Sequence, residues 1–322
     1  MVEIHTIFSL SHSVVALLGM FFNLLLVYLA LFQTPRIIKS YTTLIINFAL
    51  TDFFACLTDL FVQQRIIPTG ISLGYVSNGL CKFISPSACY VGYSFMLHFL
   101  SHSLYSLLLS FSYRYYILFN PAPTRLALVC VVLLVYSPSF FQFVSFLWAQ
   151  DDPNEMREIL NARFPDYELD GYTVTGTKNI LCFSALFTIL HMTLPVSPVY
   201  VGILLLRQRI ISRLSAQSSN LSANTKKLHG QLLMALSSQA LLPGLYAISV
   251  TSYGLGQLGI YNHPGLEYTT FSAVLFIQLL SPVTSFVFVT PYRRFIARVF
   301  FRKVKVQTVM ETSYNVSRKS IS

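Results

Sequence analysis

Residues 110–121 read Ser110-Phe-Ser-Tyr-Arg-Tyr-Tyr-Ile-Leu-Phe-Asn-Pro121, and they end an apolar run that begins near Ser87. A lone arginine at the end of an apolar helix is usually an anchor at the membrane interface, because its long side chain reaches polar surroundings. Arg114 has a second interpretation, because other apolar stretches carry polar residues at matching distances along the chain. The segment therefore predicts the end of a membrane-spanning helix. The polar residues in the other apolar stretches indicate which interpretation of Arg114 applies.

Composition places the whole chain among membrane proteins. Of its 322 residues, 54% are hydrophobic and 11% are charged, whereas soluble domains carry roughly 25% charged residues. A spanning helix needs about 20 apolar residues, and seven windows satisfy this: 7–32, 41–63, 87–118, 126–149, 179–206, 229–254 and 268–291. These windows predict an all-α integral membrane protein, with a seven-transmembrane helix bundle over residues 1–291 and a tail over residues 292–322.

The distribution of basic residues predicts the orientation. The formal net charge is +10, and most of the Lys and Arg residues fall in alternate loops and in the tail. Because basic loops stay in the cytoplasm, the N-terminus is predicted to be extracellular and the C-terminus cytoplasmic. Basic and apolar residues alternate at helical spacing over residues 292–300, which predicts a short amphipathic helix on the cytoplasmic membrane surface. This distribution does not indicate a nucleic-acid surface.

Polar side chains inside the windows indicate function. Asp52 lies in the second window, where a carboxylate costs roughly 2.5–3.5 kcal/mol and must face the bundle to find a partner, an ion or a proton. Asn23, in the first window, predicts a hydrogen bond between helices. The third window is polar on two faces, which predicts a central helix surrounded by protein. It also holds His98 and His102, but no third ligand accompanies them, so no metal site is predicted.

The five cysteines make no obvious framework. Cys56 and Cys130 lie within windows, whereas Cys81, Cys89 and Cys182 lie towards the predicted outer, oxidising side. A disulfide from Cys182 to Cys89 or to Cys81 is compatible with these positions. Connectivity cannot be read from spacing, so both pairings stay open.

These residues and spacings resemble those of the seven-helix G-protein-coupled receptors over nearly the whole chain. The matching positions lie in the first three helices: Asn23, Asn47-Phe-Ala-Leu-Thr-Asp52, Ser103, and Tyr113-Arg114-Tyr115 with Pro121. The last of these resembles the Asp/Glu-Arg-Tyr motif and its downstream proline. Cys89 matches the helix-three disulfide cysteine of the family, but the long outer loop lacks the usual partner cysteine, which is a departure from the family pattern.

The resemblance implies a role for each matched residue. A bundle polar network or sodium-like site would comprise three of them, Asn23, Asp52 and Ser103, together with Ser281. No cofactor is implied apart from a sodium ion near Asp52. Contact with a G protein, as helix six swings outward, would involve the motif arginine with aromatic and basic neighbours: Arg114, Tyr113, Tyr115, Pro121, Arg207, Lys226 and Lys227.

Departures from the general receptor pattern indicate a divergent branch. Tyr113 replaces the acid that normally pairs with the arginine, and Met96 replaces the aspartate that binds amines. Leu241 stands where helix six usually has a tryptophan, and Ser281-Pro-Val-Thr-Ser285 replaces Asn-Pro-x-x-Tyr. The chain is most similar to nematode chemoreceptors, and among them to serpentine receptor class delta, in three stretches: 100–116, 225–243 and 281–293.

This resemblance implies a chemosensory receptor in the plasma membrane of a sensory neuron, at the sensory cilium. It would bind an extracellular odorant or pheromone-like small molecule in a pocket lined by Met96, Tyr246 and Phe271, and it would activate a heterotrimeric G protein. An enzyme is not predicted, because the sequence shows no nucleophile–base pair or metal cluster. The alternative is a seven-helix ligand-gated cation channel of inverted topology, with Asp52 and Asp59 along the ion path. The distribution of basic residues argues against it.

Overall fold

The chain folds into a bundle of long helices with a small sheet at one end, which we call the outer end. The computed structural model describes residues 2–34, 41–218, 234 and 237–299. The helices are α1 (Val2–Phe32), α2 (Thr42–Val62), α3 (Pro86–Tyr116), α4 (Arg125–Phe146), α5 (Pro153–Arg163), α6 (Phe183–Thr193), α7 (Val196–Ser218), α8 (Pro243–Gln257), α9 (Pro264–Phe288) and α10 (residues 290–299). The strands are β1 (Gln64–Pro68), β2 (Leu73–Ser77) and β3 (Thr173–Thr177), and short 3₁₀ turns cover Leu80–Phe83 and Leu147–Ala149.

The predicted spans correspond to these helices. By length and composition, α1, α2, α4, the pair α6–α7, and α9 can each cross a membrane. α3 is 31 residues long and more polar, and the sixth span comprises residues 237–239 and α8 within the described part of the chain. The prediction of a seven-helix bundle is confirmed, with the sheet as an addition that the sequence did not predict.

Proline residues break two of the spans. α6 ends at Thr193 and α7 begins at Val196, so the break lies at Pro195. Pro243 begins α8 after a turn over residues 240–242. Proline lacks the backbone N–H that donates within a helix, and its ring clashes with the preceding turn. Both breaks therefore have a proline as their physical cause.

α3 lies in the interior of the bundle. Its buried residues include polar side chains on different faces, among them Ser94, His98 and Ser103. The outer surfaces of α1 and α4, by contrast, expose apolar side chains such as Leu17 and Leu134. Because polar groups are costly in lipid unless protein covers them, this helix occupies the central position that its two polar faces predicted.

A three-stranded antiparallel sheet in the order β1-β2-β3 covers the outer end of the bundle. The hairpin between β1 and β2 turns at Gly70, whose φ of +87° favours glycine. One face of the sheet packs on the bundle through Ile66 and Tyr75, and the other packs on α5 through Ile67 and Val76. Both faces are thus covered, and every residue of β1 and β2 is buried. We call the sheet together with α5 the roof.

The helix after the last span lies at the inner end. The Tyr292 side chain is buried, and its hydroxyl lies 2.7 Å from Thr34 Oγ1. Phe295 packs in the same apolar cluster, whereas Arg293 is exposed. This separation of faces agrees with the amphipathic helix predicted over residues 292–300. Residues 300–322 of the tail lie outside the described residues.

The disulfide prediction requires correction. Cys89 bonds to Cys81, and Cys182 is a free, half-buried cysteine. Cys81 lies in the 3₁₀ turn just before α3 and Cys89 in the first turn of α3, which brings their Cα atoms within 5.0 Å. That separation suits a disulfide. The bond is therefore local to the start of α3, and it does not tie the long outer loop to the bundle.

Cys81→Ser and Cys89→Ser are each expected to lower the free energy of unfolding by about 2–3 kcal/mol, because the bond closes a short loop and restricts the unfolded chain. Cys182→Ser is the matched control and is expected to change it little. Thermal unfolding of the detergent-purified protein measures both effects, with alkylation of the unreduced, unfolded chain to identify free thiols. Protection of Cys182 from alkylation would contradict this pairing.

Candidate functional site

An apolar cavity lies beneath the roof, between α3, α6, α8 and α9. Its volume is about 70 Å³. Of the three residues predicted to line a ligand pocket, Tyr246 and Phe271 line this cavity and Met96 does not. From α3, the side chains of Tyr93 and Leu97 line the cavity. Met96 points away from it into a narrower gap against α2 and α9.

A buried carboxylate lies at the centre of the bundle. Asp52 Oδ1 accepts a hydrogen bond from Ser103 Oγ at 2.6 Å, and both residues are almost fully buried. Asn23 Nδ2 donates to the carbonyl of Gln278 in α9 at 2.9 Å, and Ser281 is buried one turn further along α9. The predicted polar residues thus share the core. Of the four, Asp52 and Ser103 are the pair joined by a side-chain hydrogen bond in the described structure.

A second buried acid, Asp59, has a partner that was not predicted from the sequence. His12 Nδ1 lies 2.9 Å from Asp59 Oδ2, and His12 Nε2 lies 2.8 Å from Ser272 Oγ. These contacts join α1, α2 and α9. The sequence contained one indication of this contact: His12 lies in the apolar window 7–32, where a histidine needs a polar partner.

Arg114, at the inner end of α3, binds two neutral side chains. Its Nη1 donates to Gln239 Oε1 of the sixth span at 2.8 Å, and its Nη2 donates to the Tyr41 hydroxyl at 2.5 Å. The guanidinium also lies over the Tyr41 ring, 5.0 Å from its centroid. Gln239 Nε2 in turn donates to Thr284 Oγ1 of α9 at 3.3 Å. Tyr113 carries no carboxylate to pair with Arg114, and Gln239 was not among the residues predicted from the sequence.

The other predicted coupling residues divide into three groups. Arg207 donates to Ser237 of the sixth span at 2.8 Å. Tyr113 is buried and stacks on Tyr41, away from the sixth span. Of the remaining residues, Tyr115 is half-buried and Pro121 is exposed. Lys226 and Lys227 lie outside the described residues.

A buried ion pair fastens the roof to the bundle. Arg65 Nη2 of β1 lies 2.6 Å from Glu267 Oε2 of α9. Burial and the Glu267 carboxylate raise the pKa of Tyr167 above its ordinary value, so its hydroxyl stays protonated and donates to Glu267 Oε1 at 2.9 Å. At the hairpin, Gln257 Nε2 of α8 donates to the Gly70 carbonyl at 2.5 Å. The roof is therefore joined to both α8 and α9.

The bundle, the interior polar helix and its terminal arginine define a rhodopsin-like seven-helix membrane protein. The structure is similar to that of squid rhodopsin, with a TM-score of 0.54 and 14% identity, over 94% of this chain and 86% of that one. The chain belongs to the family described as "Serpentine type 7TM GPCR chemoreceptor Srd", whose model matches residues 8–298.

Two relatives from Caenorhabditis elegans show the same relationship along almost the full length. The chain is 43% identical to Serpentine receptor class delta-19 over 304 residues, covering 93% of this chain and 89% of the relative. It is 44% identical to Serpentine receptor class delta-18 over 317 residues, covering 96% and 94%. The family is one of multi-pass membrane chemoreceptors and not of enzymes.

Proposed function

We propose that the protein is a chemosensory receptor in the plasma membrane of a sensory neuron, at its sensory cilium. It binds an extracellular small molecule, an odorant or a pheromone-like compound, in the cavity beneath the roof. It then activates a heterotrimeric G protein at the inner end, through Arg114 and the ends of the fifth and sixth spans.

The observation that carries this proposal is that the sixth span contacts both the cavity and Arg114. Tyr246 lines the cavity, and its hydroxyl donates to the Leu100 carbonyl of α3 at 2.7 Å. Gln239, two turns earlier, binds Arg114. Pro243 lies between them, at the turn before α8. A ligand that prefers a different position of α8 would shift the population of bundles in which Gln239 holds Arg114.

Substitutions at Gln239 test the inner contact without a known ligand. Gln239→Leu is expected to raise basal nucleotide exchange on co-reconstituted heterotrimeric G proteins about tenfold, because it removes a hydrogen bond to a charged group. Gln239→Glu is expected to lower basal exchange, because a carboxylate pairs more strongly with Arg114. A Gln239→Leu variant that exchanges no faster than the unaltered protein would contradict the role of this contact.

Arg114→Ala is expected to abolish exchange while leaving the amount of receptor at the cell surface unchanged. Arg125→Ala is the matched control, since Arg125 is an exposed arginine at the same end of the bundle. Exchange is measured across a panel of G-protein classes, and surface amount by antibody to an N-terminal tag. Undiminished exchange by Arg114→Ala would overturn the assignment of Arg114.

The orientation is tested with a tag placed after Asp166, an exposed residue between α5 and β3. Antibody binding to intact cells is expected, because the basic loops and tail favour a cytoplasmic inner end. A C-terminal tag, which should need permeabilisation, is the control. The opposite result would place Arg114 outside the cell and favour the alternative of a ligand-gated cation channel, which recordings of membrane current would then examine.

We also propose that Asp52 and Ser103 hold a sodium ion, with Asn23 and Ser281 in the surrounding polar network. Asp52 Oδ2 and Asn23 Oδ1 are buried, and neither has a hydrogen-bond partner in the described structure. Oxygen atoms of this kind are the ligands of hard cations. A bound cation would supply positive charge next to the buried carboxylate.

Sodium chloride at about 0.15 M is expected to raise the melting temperature relative to choline chloride, because a ligand that binds only the folded state stabilises it. Asp52→Asn is expected to remove this difference, whatever its effect on the melting temperature itself. Ser103→Ala tests the second ligand and should weaken the dependence on sodium. An equal response of Asp52→Asn and the unaltered protein would contradict the site.

A further inference from the structure

The roof closes the cavity on its outer side. Ile66, Leu73 and Tyr75 of the sheet line the cavity from above, and each is at most 5% exposed. α5 covers the opposite face of the sheet. The Arg65–Glu267 ion pair and the Gln257–Gly70 hydrogen bond hold the roof against α8 and α9. A ligand arriving from water would therefore have to displace a packed and fastened layer.

The lateral wall of the cavity is different. The lining residues contributed by the roof, by the end of α4, by α3 and by α9 are buried. Those that are only half-buried all belong to α6 or α8: Ile189, Met192, Thr193, Val250 and Tyr253. The cavity therefore has its opening in the side of the bundle, between α6 and α8.

This gap lies at the depth of the hydrocarbon layer. Ile189 to Thr193 lie six to ten residues below the start of α6, a distance of about 9–15 Å at the rise of an α-helix. Val250 lies seven residues before the end of α8 at Gln257. Ile248, at nearly the same depth but on the exposed face of α8, is an exposed apolar residue. With a hydrocarbon core of about 30 Å, the gap faces the acyl chains of the outer leaflet.

The lining defines the chemistry of the occupant. Among the described residues it contains no charged side chain. Most of its hydroxyl groups donate within the protein, as Tyr246 does to the Leu100 carbonyl and Ser249 does to the Thr270 carbonyl. A charged ligand would lose its hydration without finding a partner. An uncharged, largely apolar molecule meets no such cost.

We propose that the ligands are small, uncharged, apolar molecules that dissolve in the outer leaflet and enter between α6 and α8. This inference rests on the proposed function only in taking the cavity as the ligand site. The volume of about 70 Å³ is below the roughly 300–1,000 Å³ of most ligand pockets. Entry therefore requires the half-buried side chains at the gap, Met192 foremost, to move aside.

The test is thiol labelling of the full chain in lipid vesicles. Leu97→Cys places a thiol on the cavity wall, in a background carrying Cys130→Ala and Cys182→Ala. Butyl methanethiosulfonate partitions into lipid, whereas its sulfonatoethyl analogue is charged and stays in water. We expect the butyl reagent to label Leu97→Cys and the charged reagent not to, while the charged reagent labels Glu158→Cys on the exposed outer face of the roof.

Val250→Trp should fill the gap and slow labelling of Leu97→Cys about tenfold or more, equivalent to a barrier increase of about 1.4 kcal/mol. Ile248→Trp, on the exposed face of the same helix, is the matched control and should not slow it. Thr193→Leu fills the gap from α6 if Val250→Trp fails to fold. Rapid labelling of Leu97→Cys by the charged reagent would overturn the proposal, as would labelling unaffected by both gap-filling variants.

Labelling needs neither a ligand nor a G protein, so its outcome is independent of nucleotide exchange. Lipid-side labelling without any exchange activity would uphold the entrance and count against the proposed function. Exchange activity with labelling from water would do the reverse.

Discussion

A helix rich in hydroxyls and imidazoles cannot face acyl chains, and α3 imposes this constraint on every helix around it. Three neighbouring helices supply polar partners to side chains of α3. Asn47 of α2 donates to Ser106 at 2.9 Å, and Ser101 lies 3.2 Å from Ser139 of α4 and 2.8 Å from His191 of α6. Individually such bonds between membrane helices are worth about 1 kcal/mol. Together they fix which helix lies beside which face of α3, and so they place the cavity, the buried carboxylate and the terminal arginine on one axis.

Breaking the contact between Arg114 and the sixth span costs less free energy than breaking an ion pair would. Breaking a buried ion pair by removing one partner costs about 3–5 kcal/mol, because the remaining charge is left uncompensated. A hydrogen bond from a charged group to a neutral amide contributes about 1.5–3 kcal/mol. When Gln239 withdraws, Arg114 keeps its contacts with the Tyr41 ring and hydroxyl. The movement of the sixth span that the proposed function requires would therefore break only a weak contact.

The sequence predicted what depends on local composition and on distances within one helix. The spans and the interior position of α3 are of this kind. The roof could not be predicted, because β1 and β2 are five residues each and are buried on both faces, which removes the alternation that marks a strand. The Cys81–Cys89 bond depends on a 3₁₀ turn with no sequence signal that we recognised. Gln239 is polar in an apolar span, but its partner is 125 positions away.

The local disulfide separates two tasks in the outer half of the protein. All five cysteines lie in the described residues, and their one disulfide restrains only the start of α3. The roof is held by side-chain contacts such as Arg65 with Glu267. Substitutions within the sheet can therefore alter what covers the cavity without disturbing the covalent restraint. Under natural selection, the residues that line the cavity are therefore free to change separately from those that secure the start of α3.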